Sequence, residues 1–213
     1  MMISKADYAT VLRCAEQYEK ELLNTNILFV YENRKTKEYE SEEVTFLPSN
    51  FKHLTGVLYS QNDKEQESEG AVYFFNLALK KRLDIHKCKY KSDGTTTIKL
   101  QILSSIMNIK KTARMIGDYN HSRLHIMADK MCGSTSATLA FTRSKSNELF
   151  PSSTLREDIR RLVTEYHTVV AVYQKAIHDS EYTECCYTSK KYDTSKLPKC
   201  IEKKLKKNCD SIK

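Results

Sequence analysis

Glycine and proline are scarce in this chain, five and three among 213 residues, and tryptophan is missing altogether. So few glycines leave little room for a phosphate-cradling loop, and neither a Walker A string nor GxGxxG occurs. HExxH and GxSxG are missing as well, which removes the familiar zinc-peptidase and serine-hydrolase arrangements. The low glycine and proline counts exclude a collagen-like or proline-rich scaffold. No apolar run approaches the roughly 18 residues a membrane helix needs, so no membrane partner is expected. The opening MMISKADYATVLRCAEQ lacks an apolar stretch behind a basic one, and a soluble, cytoplasmic protein is the expectation. The seven cysteines, at 14, 88, 132, 185, 186, 200 and 209, are odd in number, irregular in spacing and without a CxxC pair. That pattern predicts buried free thiols, with no disulfide framework, no metal site and no cofactor.

What is present is basic charge, unevenly spread. The net formal charge is +8. From Lys190 to Lys213 nine lysines face Asp193, Glu202 and Asp210, so most of the excess sits in that stretch. The expected organisation is one domain over 1–189 and a lysine-rich tail over 190–213, with Leu197, Ile201 and Leu205 spaced by four for a short amphipathic helix. Such a tail either solvates the terminus or touches nucleic-acid phosphates without reading sequence. A second basic stretch, Lys80 to Lys99, contains KKRLDIHKCKYK, a candidate phosphate-facing patch or a solvated face.

Ser4 and Asp7 resemble a capping box, and Tyr8, Val11, Leu12, Ala15, Tyr18 and Leu22 follow at helical spacing, predicting a helix to about Asn24–Thr25. NILFVY at 26–31 reads as a strand, and VTFLP as another that Pro48 stops. QNDKEQESEG at 61–70 reads as a polar loop, and AVYFFNLALKKRL as a helix with Val72, Phe75 and Leu79 on one side. TTTIKLQIL after the SDG turn reads as a strand from its β-branched residues. A short helix through Leu103, Ile106 and Met107 and a strand at ARMIGDY come next. LHIMAD and SATLAFTR are expected to form a hairpin around KMCGST. PSSTLREDIRRLVTEY reads as a capped helix, and HTVVAVYQKAI and the stretch from Glu181 as strands. Without regular βαβ alternation, the expectation is an α+β fold on a mainly antiparallel sheet.

The most chemically loaded string is Phe51-Lys52-His53-Leu54-Thr55-Gly56. A histidine titrating near neutrality moves protons between water, a ribose 2′-hydroxyl and a phosphate, and a lysine steadies the phosphate charge. That chemistry uses the substrate's own hydroxyl as nucleophile. The same string also has a plain reading, in which His53 caps or packs a turn. Lys99, Arg114 and Arg143 either project to solvent or face an anion. Tyr187 and Thr188, in EYTECCYTSKKY, either bind phosphate, orient a base or close a sheet edge.

FKHLTGVLY at 51–59, AVYFFNLALKKRL, DGTTTIKLQIL at 93–103, ARMIGDY at 113–119 and LFPSSTLREDI at 149–159 occur in that order. Together they resemble the phage-associated Barnase–EndoU–Colicin E5/D–RelE-like nuclease domains, in particular their fourth subgroup, over residues 5–190. The resemblance implies a toxin-like, metal-independent ribonuclease of a phage or other mobile element, with N-terminal helices packed on an antiparallel sheet of about four strands. Cleavage by internal 2′-hydroxyl attack would leave a 2′,3′-cyclic phosphate. It implies His53 as general base or acid, Lys99 as stabiliser of the phosphate charge and Thr188, together with Tyr187, as a substrate-orienting group; Lys52, Thr55, Arg114, Arg143 and Tyr187 are the candidate substrate-binding residues. The same scaffold also suits an inactive protein that inhibits a host defence protein or nucleoprotein complex, as an anti-CRISPR does, or a nucleic-acid-binding module.

Overall fold

The computed structural model describes residues 1–59, 67–122 and 126–206. Ser4 caps α1 (Lys5–Glu21), its hydroxyl accepting the Asp7 amide, as the sequence predicts. Val11, Cys14, Ala15 and Tyr18 turn one face of α1 inward. Two strands follow, β1 (Thr25–Glu32) and β2 (Tyr39–Phe46), then α2 (Asn50–Thr55), the short β3 (Leu58–Tyr59) and α3 (Glu67–Leu79). The expected loop at 61–70 lies largely outside the described residues, and its last four residues already belong to α3. The buried face of α3 is Ala71, Phe74, Phe75 and Ala78, while Val72 is exposed. Next come β4 (Cys88–Lys89), α4 (Thr95–Met107), α5 (Ile109–Thr112), β5 (Met115–Asp118), β6 (Lys130–Gly133) and β7 (Thr138–Arg143). The chain then forms β8 (Leu149–Leu155), β9 (His167–Ala176), β10 (Glu184–Thr188) and α6 (Lys199–Glu202).

The expected small antiparallel sheet is overturned. The main sheet has eight strands in the order β1-β2-β8-β7-β6-β5-β9-β10, and β1 also pairs with β9, so the sheet closes on itself. It is mixed, because β2 and β8 run parallel at Val44 and Leu149. The number of strands follows from pairings between distant segments, which local patterning does not encode. β1 is buried along both faces: Ile27, Phe29 and Tyr31 join the core under the helices, while Leu28 and Val30 pack on the opposite side.

Two further expectations fail locally. TTTIKLQIL is helical, since Leu100, Leu103 and Met107 recur at helical spacing and are buried, and Asp93 accepts the Thr95 amide in front of the first turn. PSST is not a helix start but the middle of β8, which tolerates Pro151 beside a β-bulge. The apolar residues behind it, Ile159, Leu162 and Val163, are buried, but in a short 3₁₀ turn and the segment that follows it. The hairpin is present with β6 and β7 as its arms, so the first arm is KMCG instead of LHIMAD, whose Leu124 and His125 lie outside the described residues.

Leu197, Ile201 and Leu205 pack against the outer apolar cluster of β1 and β9. Tyr192 joins them there through a 2.6 Å hydrogen bond between its hydroxyl and that of Tyr173. Among the described residues no helix is long and apolar enough to cross a membrane. The six described cysteines are free thiols, of which Cys14, Cys88 and Cys132 are buried.

Candidate active site

α2 is short, and the interior holds it from several sides. Phe51 enters an aromatic cluster, its ring centroid 5.4 Å from that of Tyr18 and 5.3 Å from that of Phe75. The Asn50 amide donates to the Pro151 carbonyl at 3.1 Å, and the Thr154 hydroxyl to the Leu54 carbonyl at 3.1 Å, so β8 grips both ends. With Phe51 and Leu54 facing inward, His53 is left exposed. The helix ends at Gly56, whose φ of +68° is a left-handed value that glycine adopts without strain.

Gly56 also connects α2 to α4. Its carbonyl accepts the buried Thr96 hydroxyl at 2.7 Å. One turn further along α4, the Lys99 stem passes so close that a Cβ on Gly56 would lie 2.8 Å from Lys99 Cδ. The Lys99 ammonium ends 3.0 Å from the His53 backbone carbonyl, to which it donates. Burial, and secondarily the charge of Lys91, lower the Lys99 pKa to about 8 against partial compensation from Asp93.

His53, Lys52, Lys91 and Lys99 line one wall of a cleft of about 390 Å³. The facing wall carries Ser152 and Ser153. Consecutive strand residues normally face opposite sides, but here the register slips: Ala140 pairs with Ser153 and Phe141 with Pro151. Ser152 is the extra residue of the bulge, and both serines line the same cleft. The Ser152 hydroxyl donates to the Ala140 carbonyl at 3.2 Å.

Two grooves leave this cleft. Lys99, Ile126 and Ser153 lead into one with an apolar side formed by Ile98 and Leu155. Lys52 and Leu58 lead into the other, lined also by Tyr59, His86, Lys87 and Lys89. No carboxylate lines the central cleft or the second groove among the described residues.

Of the residues expected from sequence, His53, Lys99 and Lys52 meet in the cleft. Thr55 adjoins them but is fully buried, its hydroxyl donating to the Lys52 carbonyl and accepting the Val57 amide. Thr188 and Tyr187 lie on β10 and do not line the cleft; Arg114 stacks over the Tyr187 ring at 4.2 Å. Arg143 spends its guanidinium on Glu42, with both contacts at 3.1 Å. The sequence pattern does not single out Lys91, Ser152 or Ser153. Lys91 is discoverable within the basic run, whereas the serines are hidden by the helical reading of PSST.

Among the described residues no group of three or more histidine, cysteine, aspartate or glutamate side chains is placed to hold a metal ion. Residues 10–191 match the family described as phage-Barnase-EndoU-ColicinE5/D-RelE like nuclease4. Neither the curated proteins nor the solved structures compared with the chain contain a match.

Proposed function

The chain belongs to this phage-linked nuclease family, and from that premise we propose that it is a metal-independent RNA endonuclease of a phage or other mobile element. The observation that carries the reading is Lys99 held 3.0 Å from the His53 carbonyl, on a cleft wall whose charged groups are cationic. In the proposed reaction the ribose 2′-oxygen attacks the adjacent phosphorus, and the bond from phosphorus to the 5′-oxygen breaks. A 2′,3′-cyclic phosphate and a free 5′-hydroxyl result. His53 moves a proton, either off the 2′-hydroxyl or onto the leaving 5′-oxygen. Lys99 and Lys52 balance the charge that builds on the phosphoryl oxygens. Ser152 and Ser153 supply on the facing wall the orienting hydroxyl expected of Thr188.

The Lys99 pKa fits a site that waits for an anion. A lysine poised near 8 is still mostly protonated at neutral pH, and a phosphate arriving beside it favours the charged form further.

The test is cleavage of total and transfer RNA in EDTA, with end-group analysis, by wild type and His53→Ala. Cyclic-phosphate ends that vanish in His53→Ala are the expected result. Equal cutting by the two proteins overturns the assignment of His53. Inertness of both across several RNAs overturns the nuclease reading and favours nucleic-acid binding or inhibition of a host defence complex.

A further inference from the structure

We propose that the groove formed by Lys52, His86, Lys87 and Lys89 is a backbone-binding arm, taking phosphodiesters of the RNA strand beyond the bond that is cut; the identity of that strand rests on the nuclease reading above. Lys52 and Leu58 line both the groove and the central cleft, so the two adjoin there and a chain bound in one lies next to the other. The arm has a volume of about 420 Å³, comparable with the cleft itself.

Its shape follows from a small ribbon. β3 and β4 pair antiparallel, Leu58 opposite Lys89 and Tyr59 opposite Cys88. Cys88 is fully buried and fixes the ribbon to the core, which leaves its neighbours Lys87 and Lys89 exposed. Residues two apart along an extended chain are separated by about 7 Å. Cys88 between the two lysines is extended, so their Cα atoms are about this far apart, on the order of the step between successive phosphates of an extended strand, and the two side chains suit neighbouring phosphates. Leu58, 46% exposed, provides an apolar surface beside them.

The electrostatics point the same way. Asp84 caps the 3₁₀ turn at 85–87, where it accepts the His86 amide at 2.9 Å, and it does not line the groove. Lys87 and Lys89, with Lys91 and Lys99 in the cleft, form a cationic track with no carboxylate in its lining among the described residues; Asp93, outside that lining, only partly offsets the charge of Lys91 at Lys99. A polyanion that follows the track releases counterions at each contact, which makes affinity depend on both strand length and salt. Lysines without a base-reading partner hold backbone and do not read sequence. The arm accordingly sets how long a substrate must be.

The test uses 2′-O-methyl oligonucleotides, which have no free 2′-hydroxyl for internal attack, so that binding is read without chemistry. Affinities of a dinucleotide and an octanucleotide are measured by fluorescence anisotropy across a salt series for wild type, Lys87→Glu/Lys89→Glu and Lys87→Ala/Lys89→Ala. Wild type is expected to prefer the octanucleotide by about tenfold or more. In both variants that preference should shrink, and the log–log salt slope for the octanucleotide should flatten by about 1.4, the value for two phosphate contacts on a single strand. An undiminished preference with an unchanged slope in both variants overturns the arm. If wild type cuts RNA and the variants keep the preference, the arm falls and the nuclease reading stands. If wild type cuts nothing yet the variants lose the preference, the nuclease reading falls and the arm stands as a binding site.

Discussion

Lys99 Nζ donates to the backbone carbonyl of His53 at 3.0 Å, so the lysine of α4 is anchored on the helix that carries the imidazole. The two residues are thus joined through the main chain of one and the side chain of the other. His53→Ala leaves the carbonyl in place and removes the proton carrier. Its cleavage rate should fall by about 10²–10⁴-fold while affinity for an uncleavable RNA stays close to wild type. Lys99→Met removes charge and anchor together and should lose both rate and affinity. Single-turnover cleavage beside anisotropy separates the two patterns.

The Lys99 pKa of about 8 has consequences of opposite sign for activity and stability. Phosphate binding needs the protonated form, so kcat/KM should fall as pH rises through about 8, and Lys99→Arg should move that limb to higher pH. For stability, the folded value lies below the ordinary 10.5, so between the two the unfolded chain holds more protons. Wild-type stability should therefore gain relative to Lys99→Met as pH rises from about 8 to 10.5, measured by denaturant unfolding.

Gly56 meets two demands at once, a φ of +68° and the close passage of the Lys99 stem. Gly56→Ala should cost about 1–2 kcal/mol from the left-handed backbone alone, lowering Tm by roughly 2–8 °C. The added methyl also displaces the Lys99 side chain, so cleavage at a temperature where the variant is fully folded should drop further than stability explains.

Lys130 is buried, with its ammonium 2.6 Å from Glu42 and 3.2 Å from the exposed carboxylate of Asp118. Glu42→Gln removes the charge that Lys130 and Arg143 share. The expected loss is at the lower end of about 3–5 kcal/mol, because Asp118 still faces Lys130. Affinity of the folded variant for RNA should be unchanged, which distinguishes an Arg143 committed to the fold from one that contacts substrate.

Segments whose own residue types and spacing carry the signal are legible in the amino-acid sequence itself. The Ser4–Asp7 cap announces α1, and the runs at 26–31 and 167–176 announce β1 and β9. His53 is legible for the same reason, since its lysine, hydroxyl and glycine neighbours share one string. The departures share a cause too. Threonines at the start of α4 suggest a strand only until the buried spacing of Leu100, Leu103 and Met107 is weighed against them. Pro151 with serines around it imitates a helix start, and nothing nearby reveals that β7 and β2 will claim the segment. Ser152 and Ser153 share a cleft only because of a bulge, a property of two strands together and not of either alone.

The pairing of β1 with β9 sets an order of events during synthesis. Thr25 finds Ala176 and Glu32 finds Thr168, partners separated by most of the chain. A ribosome that has released β1 through β8 has made every residue of the cleft, yet one edge of β1 still waits for its neighbour. Closure over so long a span carries a large entropic cost, and it delays the native sheet until the last quarter of the chain emerges. The polypeptide is therefore nearly complete before the sheet that supports α2 and β8 can be.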